Sequence, residues 1–278
     1  TRIWSSMSQV RRHRQKLPWQ IILIASIAVA FFLSPFIGLL WRTPWSKFTD
    51  IVTRREIRDA LWLSVQTSLI TSIVCFVFGV PLAWLLARVD FRGRRFIRAL
   101  MTLSMVLPPV IGGIALLFTF GRRGLIGQYL DSWFGIRLPF TTTAVVMAQC
   151  FVAMPFLVLT VEAALRQLDT RFEDVARTLG GSRWYVFRRV TLPSIKPSLF
   201  AGLVLAWARA LGEFGATITF AGNLPGTTQT MPLATYAALD SNPESALILS
   251  LLMIAIAFSI LIALRDRWLG RSEQGLPL

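Results

Sequence analysis

The sequence predicts an all-α fold: a polytopic membrane protein with six transmembrane helices and one amphipathic cytoplasmic loop. Three observations predict it. The composition is 54% hydrophobic and 15% charged over 278 residues, with a mean hydropathy of +0.60, whereas a soluble domain carries about a quarter charged residues. Residues 17–41, 60–87, 99–121, 138–161 and 245–264 are each free of Asp, Glu, Lys and Arg, and about 20 apolar residues suffice to cross the hydrocarbon core. Residues 197–222 form a sixth such run, broken by one Arg and one Glu. The third observation is the distribution of the net charge of +15. With both termini inside, the cytoplasmic segments hold 20 basic residues, the outer loops 8, and Arg209 lies within a span. That asymmetry is the positive-inside pattern of a membrane protein, so the charge reports topology and nucleic-acid binding is excluded as its explanation.

The elements follow in order. The basic tail 1–16 precedes a first run too long for a signal peptide and without a small-residue cleavage site, so a retained helix is expected. Residues 41–59 are mixed in charge and suit a short helix lying along the interface. "LPP" at Leu107, Pro108 and Pro109, followed by Gly112 and Gly113, interrupts the third run. Proline at membrane depth survives where neighbours re-satisfy the freed carbonyls. Pro108 and Pro109 are therefore either a packing kink or unwound backbone beside a pathway. Residues 223–244 read as a turn-rich outer loop around Gly222, Asn223, Pro225 and Gly226. One transmembrane domain, 17–267, spans the chain between the tail 1–16 and a cytoplasmic tail 268–278. Cys75 and Cys150 fall mid-span, where thiols are packing residues, and His13 is a solvated residue of the basic tail.

The loop at 169–196 is the anomaly, since it is polar and too short to span. Thr170 and Glu173 have the spacing of a capping box, hydroxyl to one free N–H and carboxylate back to another. Phe172, Val175, Ala176 and Leu179 recur at helical spacing as an apolar stripe. Gly180 stands where a left-handed C-cap is wanted. Ser182 then caps a second short helix with Arg183, Trp184, Phe187, Arg188 and Arg189, which Leu192-Pro193 is expected to end. By its chemistry this element fits either membrane lipid, with arginines toward phosphates, or a groove of another protein, with Trp184 and Phe187 as anchors.

The intervals go further. From Asp174 the segment reads D-V-A, three residues, Gly180, nine residues, Val190, one residue, Leu192-Pro193. It resembles the EAA loop of binding-protein-dependent ABC import permeases, whose pattern is EAA, three residues, G, nine residues, I-x-LP. Asp174, Val175 and Val190 replace Glu, Ala and Ile, and Ala176 is retained. The resemblance implies that Glu173, Asp174, Val175, Ala176, Gly180, Arg183, Val190, Leu192 and Pro193 belong to a coupling helix docked on an ATP-binding subunit. ATP and Mg would be bound by that partner. This chain holds no cofactor of its own: its three lysines, Lys16, Lys47 and Lys196, all lack the preceding Gly of a phosphate-binding loop.

The stretch "ARALGEFGATITFAGNLPGTTQTMPLATY", starting at Ala208, resembles the molybdate permeases of ABC importers, and the likeness runs over residues 60–267. Sulfate/thiosulfate permeases share the R-A-x-G-E core. The resemblance implies a tetrahedral oxyanion cargo, an extracytoplasmic oxyanion-binding protein that selects it, and a second copy of this chain completing the pathway in a prokaryotic plasma membrane. Tungstate and sulfate remain alternative cargoes. Arg209 and Glu213 lie four apart and share a helix face, as a gate or pathway element or as a structural ion pair. A proton- or ion-coupled transporter using that pair as its relay is the rival reading. No nucleophile–base constellation points to an enzyme.

Overall fold

A computed structural model describes residues 19–269, with side chains through 262. The described residues are helical and contain no strand. They divide into two compact units, one ending at Thr43 and one starting at Pro44. The first holds α1 (Trp19–Arg42), apolar on every face, with Pro35 inside it.

The second unit begins with a 3-10 turn (Trp45–Lys47) and α2 (Phe48–Val52), the short helix expected before the second span. Next, α3 (Arg55–Val74) runs through a π turn at Cys75–Gly79 into α4 (Val80–Arg88). Then come α5 (Arg94–Val106), α6 (Pro109–Phe120), α7 (Gly127–Phe134) and α8 (Thr142–Gln167). The polar loop holds α9 (Arg171–Thr178) and α10 (Arg183–Val186), a second π turn at Phe187–Thr191, and α11 (Leu192–Ser194). The chain closes with α12 (Lys196–Leu211), α13 (Gly215–Phe220), α14 (Met231–Ser241) and α15 (Pro243–Leu269).

Among the described residues, four helices are long and apolar enough to cross a membrane: Trp19–Arg42, Arg55–Arg88, Thr142–Gln167 and Pro243–Ile262. The third and fifth of the six expected spans are not single helices. Leu107 precedes a proline and is extended, with φ −64° and ψ 133°, because a residue before proline is driven out of the α region. That separates α5 from α6. In the fifth, α12 stops at Leu211 and α13 resumes at Gly215. The expected outer loop 223–244 also differs, since half of it is the helix α14, which packs with α2, α3 and α15 around Ile51, Ala60, Met231 and Ile248.

Two prolines leave their helices unbroken by the same device. Pro81 and Pro193 each follow a π turn by two residues, Cys75–Gly79 and Phe187–Thr191. Proline lacks an N–H and its ring collides with the carbonyl four residues back. A locally widened turn relieves both problems. The expectation that Leu192-Pro193 ends the helix is corrected accordingly: it continues to Ser194, and the chain then bends by 77° into α12.

Helix α8 is the centre of the second unit. Its Leu157, Val158, Val161 and Leu165 pack with Val80, Ala83 and Leu86 of α4 and Ala206 and Ala210 of α12. Toward its other end, Ala144, Val145 and Ala148 pack with Leu116 of α6 and Phe220 of α13. Close approach depends on small residues, as between helices in lipid: a Cβ at Gly202 would stand 2.9 Å from the Leu157 side chain.

Candidate functional site

The polar loop forms as two capped helices. Gly180 takes φ +87°, and the N–H groups of Gly180 and Gly181 donate to Arg177 O and Ala176 O at 2.9 and 3.0 Å. These bonds satisfy carbonyls at the end of α9. Ser182 Oγ accepts from Tyr185 N–H at 3.2 Å and caps α10.

The other end of α9 differs from expectation. The Thr170 side chain makes no capping bond, and Arg171 N–H donates to Asp169 Oδ1 instead. Glu173 does not reach back to the helix start. It is 2% exposed, and its Oε1 accepts from Arg88 Nη2 at 3.1 Å and from Thr191 Oγ1 at 2.9 Å. The capping box fails because a buried guanidinium offers the carboxylate a stronger partner than a backbone N–H on an exposed end. Asp174, the residue aligned with the Glu of the EAA pattern, is exposed and pairs with Arg177, at 3.5 Å.

With Glu173 turned inward, the apolar stripe turns outward. Phe172 is 63% exposed, Val175 58% and Leu179 83%, while Ala176 is half-buried. On the second helix Trp184 and Tyr185 are exposed, as are Arg183, Arg188 and Arg189. Phe187 is a correction: it is half-buried and meets Trp84 edge-on with ring centroids 6.1 Å apart, so it anchors the loop to α4. Val190 and Leu192 are half-buried and Pro193 is exposed. An amphipathic helix that hides its carboxylate and displays Phe, Val and Leu presents an exposed apolar patch of the kind that marks contact with a protein or a membrane.

A second carboxylate bolts the neighbouring loop in place. Glu162, buried near the end of α8, accepts from Arg98 Nε and from Arg166 Nε, each at 3.0 Å. Neither Arg88 nor Glu162 was singled out from the sequence, although each is the first charge after an apolar run.

The pathway candidates converge in part. Arg209 Nη1 stands 2.7 Å from Glu213 Oε2, with Glu213 1% exposed. The pair is present, but the helix does not continue past it. Glu213 lies in the break, and its Oε1 accepts from Ala216 N–H at 2.7 Å, at the start of α13. This break faces the other one, since a Cβ at Gly215 would stand 3.0 Å from Pro109 Cβ and 3.1 Å from Val110 N. Pro109 therefore belongs with the fifth-span break, whereas Pro108 contributes the extended residue before it, at φ −54° and ψ 128°. Discontinuous helices meeting at membrane depth line the binding regions of many transporters.

Also unforeseen is a buried polar stripe, Ser64, Thr67, Ser68 and Thr71, on one face of α3. Thr71 Oγ1 donates to Gln149 Oε1 at 2.9 Å, Gln149 Nε2 donates to Thr67 Oγ1 at 3.1 Å, and Ser64 Oγ accepts from Met231 N–H at 2.7 Å. Hydroxyl residues do not interrupt an apolar run, so nothing in the hydropathy marks them.

Residues 79–276 match the family described as binding-protein-dependent transport system inner membrane component. The chain belongs to this family. It is 44% identical over 251 residues to the molybdenum transport system permease protein ModB of Mycobacterium tuberculosis, covering 90% of this chain and 95% of that one. The ModB of Escherichia coli is 41% identical, over 78% of this chain and 94% of its own. The sulfate transport system permease protein CysT of Escherichia coli is 33% identical over 86% and 88%. Among solved structures, a bacterial alginate ABC transporter in complex with a pentasaccharide-bound periplasmic protein superposes with a TM-score of 0.72 at 16% identity, covering 93% of this chain and 96% of that one. The MetNI methionine ABC transporter gives 0.57 at 18% identity, over 73% and 90%. These two likenesses concern the fold. The family and the apolar helices make the chain a multi-pass membrane permease.

Proposed function

We infer that this chain is the transmembrane subunit of an ATP-driven importer for molybdate. The observation that carries the reading is its 44% identity to a molybdenum permease over 95% of that protein's length. The outward apolar face of α9 supports it independently, because such a face on a polar loop suits a protein partner that covers it. That partner is a separate ATP-binding subunit, which binds ATP and Mg. An extracytoplasmic oxyanion-binding protein delivers cargo to the opposite face, and a second copy of the chain completes the pathway. Both termini and the α9–α10 loop lie in the cytoplasm of a prokaryote. ATP binding draws the ATPase pair together, the docked loops follow, and the cavity opens outward; hydrolysis resets it. Sulfate is the second reading, favoured by the 33% identity to a sulfate permease.

The test is uptake in proteoliposomes containing this chain, its ATPase and its binding protein. Molybdate uptake that needs internal ATP, persists with an uncoupler and withstands a large excess of sulfate is expected. Uptake abolished by the uncoupler at constant ATP contradicts the reading in favour of an ion-coupled transporter. Efficient competition by sulfate replaces the cargo.

A further inference from the structure

Arg88 holds a position that neither the EAA pattern nor the apolar runs assign. It is the last residue of α4, and its side chain is 13% exposed. Its Nη2 reaches Glu173 Oε1 of α9 at 3.1 Å and the Leu168 carbonyl, just past the end of α8, at 3.5 Å. Thr191 Oγ1, in the π turn beyond α10, donates to the same Glu173 oxygen at 2.9 Å. One guanidinium therefore joins the ends of two membrane helices to the docking loop. Among the described side-chain bonds of α9, the one to Arg88 alone leaves the segment 168–194; the rest join Asp169, Thr191 or residues of α9 itself.

We propose that Arg88 is a positioning residue for transport: the Arg88–Glu173 pair carries displacement of the docked loop into the α3–α4 helix. The inference rests on the reading of α9 as the ATPase-docking helix. Its physical basis is the contrast in contacts. The outward face of α9 is available to a partner, and its single inward side chain is a buried carboxylate that cannot move without its counter-charge. A buried ion pair left half-made is strongly disfavoured, so the two groups move together or the arrangement fails. The planar guanidinium matters, because its Nη2 must reach Glu173 and the Leu168 carbonyl at once from the end of α4. The displacement then enters α4 at its end and meets the π turn at Cys75–Gly79, a local widening of the kind frequent at functional sites. Helix α4 lies against α8 through Ala83, Leu86, Leu157 and Val161, so the motion reaches the centre of the bundle without a further polar link.

The test uses the full complex in proteoliposomes with its binding protein, measuring molybdate taken up per ATP hydrolysed and the amount of ATPase retained on purification. Arg88→Gln should keep the ATPase at close to wild-type yield while molybdate per ATP falls about tenfold, the upper part of the range for residues that modulate coupling. Arg88→Lys keeps the charge beside Glu173 but loses the planar guanidinium and its reach to the Leu168 carbonyl, and should give an intermediate ratio. It also provides the measurement if Arg88→Gln does not fold. An unchanged ratio in both variants overturns the proposal, as does parallel loss of ATPase retention and uptake at constant ratio, which marks a residue that only keeps the loop folded. A wild-type complex that hydrolyses ATP without moving molybdate strikes at the proposed function itself. Normal wild-type coupling with normally coupled variants strikes only at Arg88.

Discussion

Glu173 and Glu213 are both buried carboxylates paired with arginine, yet their partners differ in kind. Arg209 lies in the last turn of α12, four residues before Glu213 in the break, and the second Glu213 oxygen accepts from Ala216 N–H three residues on. The pair shapes one stretch of chain, holding a helix end and the restart that follows it. Glu173 is held by residues 85 and 18 positions away in sequence, and so ties three elements together. Local pairs shape an element, whereas distant pairs let elements move as one. The first kind suits a constriction and the second suits a lever.

The comparison can be broken most sharply at Glu213. Arg209→Gln leaves a carboxylate that is 1% exposed without its counter-charge, at a cost of about 3 kcal/mol. Glu213→Gln leaves Arg209, whose side chain is 27% exposed, and a Gln oxygen still able to accept from Ala216, so its cost is smaller. Expression level, thermal stability and molybdate uptake should all rank Arg209→Gln as the worse variant. If the pair is structural, the double variant recovers part of the loss; if it gates, the double variant folds, binds the ATPase and stays inactive. Equal effects of the two single changes would remove the asymmetry on which this rests.

Gly180 tests the other site. A Cβ there would meet nothing within 4 Å, so the penalty at φ +87° is purely conformational. Gly180→Val should cost about 1–2 kcal/mol in the loop, with insertion intact and ATPase association weakened. ATPase recovery at wild-type yield from that variant contradicts the assignment.

These two regions were legible in the sequence to different degrees. The caps at Gly180 and Ser182 are local, and spacing alone marks them. The Arg209–Glu213 pair is equally local, but the break at Gly212–Phe214 is not, since it depends on Gly215 meeting Pro109 across the bundle. The direction of Glu173 could not be read, because the residue that decides it stands in another loop. Without Arg88, the Thr170–Glu173 spacing points to a capping box. The inward turn of Glu173 also decides which way the apolar stripe faces, leaving Phe172, Val175 and Leu179 exposed. Proline misled at Leu192-Pro193, since a π turn is a hydrogen-bonding pattern with no residue signature of its own.

A neutral long-range link sharpens the comparison at lower energy. Thr71→Val removes the donor to Gln149, while Gln149 keeps Thr67. A loss of about 0.6 kcal/mol, typical of hydrogen bonds between membrane helices, is expected in a double-mutant cycle with Gln149→Leu. A coupling energy near that of the charged pairs would mean that charge is not what distinguishes them.

The smallest effect concerns a half-buried carboxylate held by two exposed arginines. Asp131 accepts from Arg122 Nε and Arg137 Nε, each at 2.8 Å, and Arg137 foremost, with Arg122, holds its pKa below the usual value of 3.8. A depressed pKa means that the stabilisation is present above the unfolded value and lost as pH falls through the folded one. The difference in thermal stability between wild type and Asp131→Asn should be slight at neutral pH and vanish only once pH has fallen through the lowered pKa of the folded carboxyl. A difference that grows on acidification contradicts the ion-pair account.

The central claim is that α9 turns its apolar side to the ATPase and its carboxylate to the bundle. Single cysteines at positions 172, 175 and 179, with Cys75 and Cys150 replaced by serine, allow a direct measurement. Their reaction with a membrane-impermeant maleimide is compared in inside-out vesicles with and without the ATPase subunit, with a cysteine at position 133 labelled in right-side-out vesicles as the control. The account predicts rapid labelling of all three alone, strong protection at each when the ATPase is bound, and no change at position 133. Labelling that is slow without the ATPase, or unchanged by it, would contradict the account.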